Sequence, residues 1–148
     1  MTTKDTAEME NEIISAKTED DLKKFLEDNE ENFPDFTLDE YLKFLLDEKN
    51  LNMSEVIKTS QIGTYAYKIF EGKRKNNSRT KILSLAFAMK LSVQETNRLL
   101  YYANAKKLYA KDDWDAVIIF ALNNGYDLAQ ANQLLEDSAM TPLIGETN

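Results

Sequence analysis

The sequence predicts an all-α fold, and three observations support that prediction. Only four glycines and two prolines occur among 148 residues, whereas a sheet protein needs many turns built from these residues. Apolar side chains recur at helical spacing along most of the chain. Residues that favour helix N-caps stand in front of several of these apolar segments. The apolar and charged fractions, 43% and 30%, are those of a globular domain.

The chain contains neither cysteine nor histidine. Disulfides, thiolate nucleophiles, the usual general base and the commonest transition-metal ligands are therefore excluded. We expect a protein that is not an enzyme and that holds no metal and no cofactor. The first residues lack the apolar stretch of a signal peptide, and no segment reaches membrane-spanning length. A cytoplasmic protein without membrane contact is the resulting expectation.

Residues 1–36 are expected to form an acidic tail with one short helix. Thr18 precedes Asp21 by three residues, as in a helix-capping motif, and apolar residues follow at helical spacing over Leu22–Leu26. Pro34 disfavours a helical conformation in the residue before it, so the helix should end ahead of it.

Residues 37–111 are expected to form the central domain. Thr37 and Glu40 have the spacing of a capping box, which predicts a helix from this point to about Lys49. A shorter helix should run from Asn52 or Met53 to Thr59, with Val56 and Ile57 pointing inward. The turn Ser60–Gly63 follows.

A third helix is predicted over Thr64–Glu71, with Gly72 as its C-terminal stop. Tyr67 and Phe70 are predicted to point inward from this helix, which leaves its opening residues free to meet a ligand.

A repeat of 35 residues occupies the rest of the chain. The first copy runs over 81–108 and the second over 116–143, without gaps. The identical pairs include Asn97/Asn132, Leu99/Leu134, Leu100/Leu135 and Leu108/Leu143. Each copy predicts two helices joined by a tight polar turn, with Gly125 ending the first helix of the second copy. Residues 112–148 should therefore form a helical hairpin packed on the core, with Trp114, Val117, Ile118 and Phe120 buried at its start.

Charge is distributed unevenly along the sequence. The formal net charge is −8, yet residues 51–111 contain twelve basic and three acidic residues, a net of +9. A chain divided in this way is typical of a basic binding surface beside an acidic extension. We expect the acidic segment before Asn32 to compete with nucleic acid for the basic region.

A short helix, a sharp turn at Gly63 and a second helix opening at Thr64 is the arrangement of a helix-turn-helix, which inserts the start of its second helix into the major groove of DNA. Polar side chains at that helix start can reach base edges, and the basic loop after Gly72 is suited to backbone phosphates. The candidate DNA-binding residues are Ser54, Thr64, Tyr65, Lys68, Lys73, Arg74, Lys75, Asn77 and Arg79.

The sequence over about Thr37–Leu143 resembles the lambda-repressor-like (Cro and repressor, XRE type) helix-turn-helix regulators of bacteria and phages. The matching positions are Tyr41, Leu42, Leu45, Leu51, Ser54–Ile57, Ile62, Tyr65, Tyr67, Ile69, Phe70, Gly72–Arg74, Ser78–Leu85 and Asp115–Phe120. The resemblance implies a five-helix DNA-binding core, contacts with DNA near Thr64 and, often, a homodimer.

Two functions follow as hypotheses. The first is a sequence-specific transcriptional regulator that binds double-stranded DNA. The second is a helical adaptor that binds another protein, through the C-terminal hairpin for example, and has lost DNA readout. The net charge of −8 favours the adaptor. So do Met53, where the family often has a phosphate-contacting Gln, and Gln61, where its turn commonly has Gly.

Overall fold

The computed structural model describes residues 13–14, 17–22, 35–73 and 77–143. The chain divides into two units, Met1–Asp35 and Phe36–Asn148. In the first unit, residues 13–14 and 19–22 are helical, and Thr18 and Asp21 exchange two hydrogen bonds of 3.0 and 3.3 Å. The predicted cap at Thr18 is confirmed, while the predicted end of this helix lies outside the described residues.

Helices make up all the regular structure that is described in the second unit. They are α1 (Leu38–Glu48), α2 (Met53–Ser60), α3 (Thr64–Phe70), α4 (Arg79–Ala88), α5 (Val93–Tyr102), α6 (Asp113–Asn123) and α7 (Leu128–Asp137). The all-α prediction is confirmed, and the boundary expected near residue 112 lies inside this unit. No helix in the described ranges combines the length and the hydrophobicity needed to span a bilayer.

The pairs α1–α2, α4–α5 and α6–α7 are joined by one kind of turn. A residue with left-handed backbone follows the first helix, and the apolar residue after it donates its N–H to a carbonyl five residues earlier, as in a Schellman motif. The left-handed residues are Asn50, Lys90 and Gly125, and the donor–acceptor pairs are Leu51–Leu46 (2.8 Å), Leu91–Ala86 (3.0 Å) and Tyr126–Ala121 (3.0 Å). An N-cap side chain then starts the second helix at Asn52, Ser92 and Asp127.

The 35-residue repeat is present in the structure as well as in the sequence. Helices α5 and α7 begin and end at positions that differ by 35, and each opens with a capping box. The side-chain Oδ1 of Asn97 accepts a hydrogen bond from the N–H of Leu108 at 2.9 Å, and Asn132 accepts the equivalent bond from Leu143 at 2.7 Å. Asn97 and Asn132 therefore make the same contact at equivalent positions, and the predicted repeat is confirmed.

Helix α4 occupies the centre of the core. Its residues 82–87 are all buried, and it packs against α2, α5 and α7. Helix α1 packs against α3 and α5, and α6 packs against α5 and α7. Side chains of both hairpins belong to one hydrophobic cluster.

The start of the C-terminal hairpin is less buried than predicted. Ile118 is fully buried and Trp114 and Val117 are partly buried, but Phe120 exposes 50% of its surface, so its predicted burial is wrong. Residues 116–122 of helix α6 are all apolar, and hydrophobic periodicity cannot tell which side of such a segment faces the core. Trp114 links the start of α6 to the segment after α7, because its indole N–H donates to the carbonyl of Thr141 at 2.8 Å.

Candidate nucleic-acid interface

Helices α2 and α3 are joined by a turn of three residues with two unusual backbone conformations. Gln61 ends α2 in the left-handed region (φ 60°, ψ 22°), and Gly63 precedes α3 at φ 60° and ψ −137°. The second conformation is accessible to glycine almost alone. Ser60 is buried at the end of α2, where its hydroxyl donates to the carbonyl of Ile57 at 2.7 Å. These features fix the path of the chain between the two helices.

Helix α3 buries one face and exposes the other. Ala66, Ile69 and Phe70 point into the core, where α3 packs against α1 and α2. Thr64, Tyr67, Lys68 and Glu71 are exposed. Their positions i, i+3, i+4 and i+7 place these four side chains along one face of the helix. We call this row the outer face of α3.

Tyr67 was predicted to lie inward, and that prediction is wrong, because 47% of its surface is exposed. The inward triplet is formed by Ala66, Ile69 and Phe70. A small residue such as Ala gives a weak hydrophobic signal. The sequence pattern therefore favoured Tyr67 rather than Ala66 as the inward residue one turn before Phe70. Tyr67 is therefore an exposed aromatic side chain at the candidate site that sequence reasoning missed.

Tyr65 was predicted to contact DNA, but its side chain is engaged within the protein. It is half-buried, and its hydroxyl accepts a hydrogen bond of 2.7 Å from the N–H of Ser78. The ammonium group of Lys81 lies 4.2 Å from the centre of its ring, within cation–π range. Tyr65 thus connects the start of α3 to the start of α4. In the structure it positions the two helices rather than standing free on the outer face of α3.

Arg79 is also engaged inside the protein. Its guanidinium pairs with both carboxylate oxygens of Asp115 at 2.9 and 2.8 Å, and it donates to the carbonyls of Lys106 and Lys107 at 2.8 and 3.2 Å. These contacts use four of its N–H groups, out of about five that a guanidinium has. Arg79 therefore links α4 to the loop between α5 and α6 and to α6 itself, and its predicted role as a DNA contact is not supported by its position.

Asp115 is the buried partner in this link, with 1% of its surface exposed. Burial by itself would raise the pKa of its carboxyl. The hydrogen bonds from Arg79 and from the N–H of Tyr109, together with the charge of Arg79, outweigh that effect and hold the pKa below its usual value of 3.8. The carboxylate is thus charged and fully engaged, which fits a structural role.

The basic loop after α3 is described in part. Lys73 is exposed and lies 3.8 Å from Glu71, and Asn77 is partly buried. Arg74 and Lys75 lie outside the described residues. On α2, Ser54 and Lys58 are exposed one helical turn apart. Of the nine predicted residues, Ser54, Thr64, Lys68 and Lys73 are thus exposed on or directly after the α2–α3 pair.

The chain matches no protein-family model. Comparisons with curated proteins and with solved structures likewise found no match.

The outer face of α3 offers hydroxyl, phenol and ammonium groups to a ligand. Thr64 and Tyr67 can donate or accept hydrogen bonds, and Lys68 supplies a positive charge. Glu71 adds one negative charge at the end of the row, but its carboxylate lies next to the ammonium group of Lys73. The described residues contain no group of three or more carboxylates arranged to hold a metal ion. Hydrogen bonding to polar edges and attraction to anions are the chemistry that this surface can perform.

Proposed function

We propose that the chain is a sequence-specific transcriptional regulator that binds double-stranded DNA, and that α1 to α5 form a lambda-repressor-like domain. The observation that carries the proposal is the outer face of α3, where Thr64, Tyr67 and Lys68 are exposed directly after the turn at Gly63. The dense basic stretch over 51–111 supports the same reading.

In the proposed complex, α3 enters the major groove and α2 crosses the sugar–phosphate backbone. Thr64, Tyr67 and Lys68 then reach base edges, and Lys68 is suited to the acceptor atoms of guanine. Ser54, Lys58 and Lys73 contact phosphates, which position the domain without reading sequence. Tyr65 and Arg79 act indirectly, since they fix the start of α4 against α3 and α6.

DNA selected from a random library provides the duplex for the test. Fluorescence anisotropy should show binding that weakens as salt increases, because each phosphate contact releases counterions. Lys68→Glu should reduce affinity at least tenfold, a change of roughly 1.4 kcal/mol or more. Lys111→Glu is the matched control, because Lys111 is exposed on the loop before α6 and carries the same charge change. Binding that ignores salt, or equal losses in the two variants, would contradict the proposal.

Tyr67 and Tyr101 form a second matched pair, since each exposes 47% of its surface. Tyr67→Ala should lower affinity for the selected duplex and relax sequence preference. Tyr101→Ala should leave both unchanged, because Tyr101 lies on α5 outside the helix-turn-helix.

A protein-binding adaptor is the second candidate function. The half-exposed Phe120 favours it, since an aromatic side chain on the outside of an apolar helix is suited to a protein contact. A cellular phenotype that persists in Lys68→Glu and disappears in Phe120→Glu would support the adaptor and contradict the regulator.

A further inference from the structure

The segment 105–109, between α5 and α6, is held to the core at every residue, and we call it the anchored segment. Each of its residues gives one backbone group to a hydrogen bond with α4, α5 or α6. The donor–acceptor pairs are Ala105 N–H to the carbonyl of Leu100 (2.9 Å), the Arg79 guanidinium to the carbonyls of Lys106 (2.8 Å) and Lys107 (3.2 Å), Leu108 N–H to Asn97 (2.9 Å) and Tyr109 N–H to Asp115 (2.9 Å). The backbone of this loop is therefore fixed by the protein itself.

The side chains of the anchored segment carry positive charge and hydrogen-bond donors to the surface. Leu108 is buried, whereas Lys106, Lys107 and Tyr109 are exposed. The ammonium group of Lys106 lies 5.9 Å from the centre of the Tyr109 ring, so these two side chains stand beside each other. An ammonium group and a phenol hydroxyl both donate hydrogen bonds. Together they are suited to the oxygens of a phosphate.

The 35-residue repeat shows that this loop does not require lysine. In both copies an Asn side chain holds the N–H of a buried Leu. In the first copy the two residues before that Leu are Lys106 and Lys107, and in the second copy they are Thr141 and Pro142. The same anchor thus forms with uncharged residues, and the positive charge at these two positions belongs to the first copy alone.

The anchored segment lies at the start of α4, beside the candidate nucleic-acid interface. Arg79, the first residue of α4, binds two of its carbonyls. Tyr65, in the first turn of α3, accepts a hydrogen bond from the N–H of Ser78, which is the N-cap of α4. Direct hydrogen bonds therefore connect the start of α3 with the start of α4, and the start of α4 with the anchored segment.

The carboxylates next to the anchored segment have structural roles. Asp115 is paired with Arg79. Asp112 and Asp113 follow the segment at the start of α6, where the helix dipole favours negative charge, and the side chain of Asp112 caps that helix. The segment itself contains no acidic residue, so its two lysines give it a net charge of +2.

We propose that the anchored segment contacts DNA phosphates beside the groove entered by α3, through Lys106 and Tyr109. The inference rests on the proposed function, since α3 has to occupy the groove for the segment to approach the duplex. The contact lies outside the helix-turn-helix and fixes the position of the domain without reading sequence. Because the backbone of the segment is already fixed, binding requires little further ordering of the chain.

Anisotropy titrations with the selected duplex at a series of salt concentrations test this contact. Lys106→Gln removes one charge and keeps the carbonyl that Arg79 binds. The slope of log affinity against log salt should become shallower by about 0.9, so the ratio of wild-type to variant affinity should change by roughly eightfold over a tenfold range of salt. Lys111→Gln is the matched control, because Lys111 is exposed but lies beyond the segment, and it should keep the wild-type slope.

Two further measurements separate a phosphate contact from base reading. Tyr109→Phe keeps the ring and loses the hydroxyl, so it should weaken binding several-fold with the wild-type salt slope, because no charge is removed. An unchanged affinity would overturn the part assigned to Tyr109. DNA selected with Lys106→Gln should have the same sequence as DNA selected with the wild type. An altered sequence preference would assign Lys106 to base reading and overturn the proposal.

The failure of this inference is distinguishable from the failure of the proposed function. If Lys106→Gln keeps the wild-type slope while Lys68→Glu weakens binding, the anchored segment does not contact DNA and the helix-turn-helix does. Equal changes of slope in Lys106→Gln and Lys111→Gln would show an effect of net charge alone, which also overturns the inference. Wild-type binding that ignores salt overturns both proposals. Circular dichroism establishes that each variant is folded.

Discussion

At the scale of single residues, the ion pair formed by Arg79 and Asp115 should make a large contribution to stability. It joins α4 to α6 across 36 positions of sequence, and the carboxylate is buried. Arg79→Ala leaves that carboxylate buried without its cation, which should lower the free energy of unfolding by about 3 kcal/mol. Chemical denaturation measures the loss. The double variant Arg79→Met, Asp115→Leu should lose less than Arg79→Ala alone, and a larger loss would contradict this account.

Asp115 should also make stability depend on acid. Its pKa is lower in the folded protein than the unfolded value near 3.8, so its charged form stabilises the fold above that pH. This contribution is lost as the pH falls through the folded pKa. Denaturation curves at a series of acidic pH values should therefore show a steeper loss for the wild type than for Asp115→Asn, whose side chain does not titrate. Parallel losses in the two proteins would assign the acid sensitivity to other carboxylates.

Several residues of the candidate site could not have been placed from sequence. An Arg in a basic stretch suggests DNA, but the partner that binds Arg79 is 36 residues away and occurs in the repeat that follows. Tyr65 and Tyr67 are separated by one residue, and only the inward position of Ala66 decides which of them is exposed. Thr64 and Lys68 were assigned to the exposed surface correctly because they open the helix and lie one turn apart.

At the scale of elements, the turn between α2 and α3 contains two residues that should respond to substitution in opposite ways. Gly63→Ala should destabilise the protein by about 1–3 kcal/mol, because the backbone conformation disfavours a side chain. Space is not the cause, since a Cβ at this position would meet no atom within 4 Å. Gln61→Gly should stabilise by up to about 1 kcal/mol, because it relieves a left-handed non-glycine residue.

Thermal unfolding of both variants gives the comparison. If Gly63→Ala proves neutral, the φ of 60° at this position is not required by the fold.

Most helix starts were predictable from the sequence, because the capping residues Thr37 and Thr18 act within three positions of themselves. The repeat was predictable for a related reason. Identical residues at one spacing indicate identical local structure, as Asn97 and Asn132 demonstrate.

At the scale of the whole molecule, the distribution of charge should control the affinity for DNA. Residues 1–35 carry a net charge of −8, so the acidic and basic residues of 36–148 balance to a net charge of zero. Deletion of residues 1–32 should tighten DNA binding at low salt, because it removes most of the charge that repels phosphates or competes with them. The gain should disappear at high salt, where both effects are screened. Equal affinities of the two chains at low salt, measured by anisotropy, would remove this role for the acidic segment.

Helix α4 connects the candidate DNA-reading helices with the C-terminal hairpin, because α2 and α7 both pack on it. Six consecutive side chains of α4 are buried, so its backbone can meet solvent only when most of the core opens. Hydrogen exchange should consequently be slowest at the amides of Leu83 to Phe87, with protection close to that of global unfolding. A ligand bound on either side of α4 would then slow exchange on the opposite side only by stabilising the entire core.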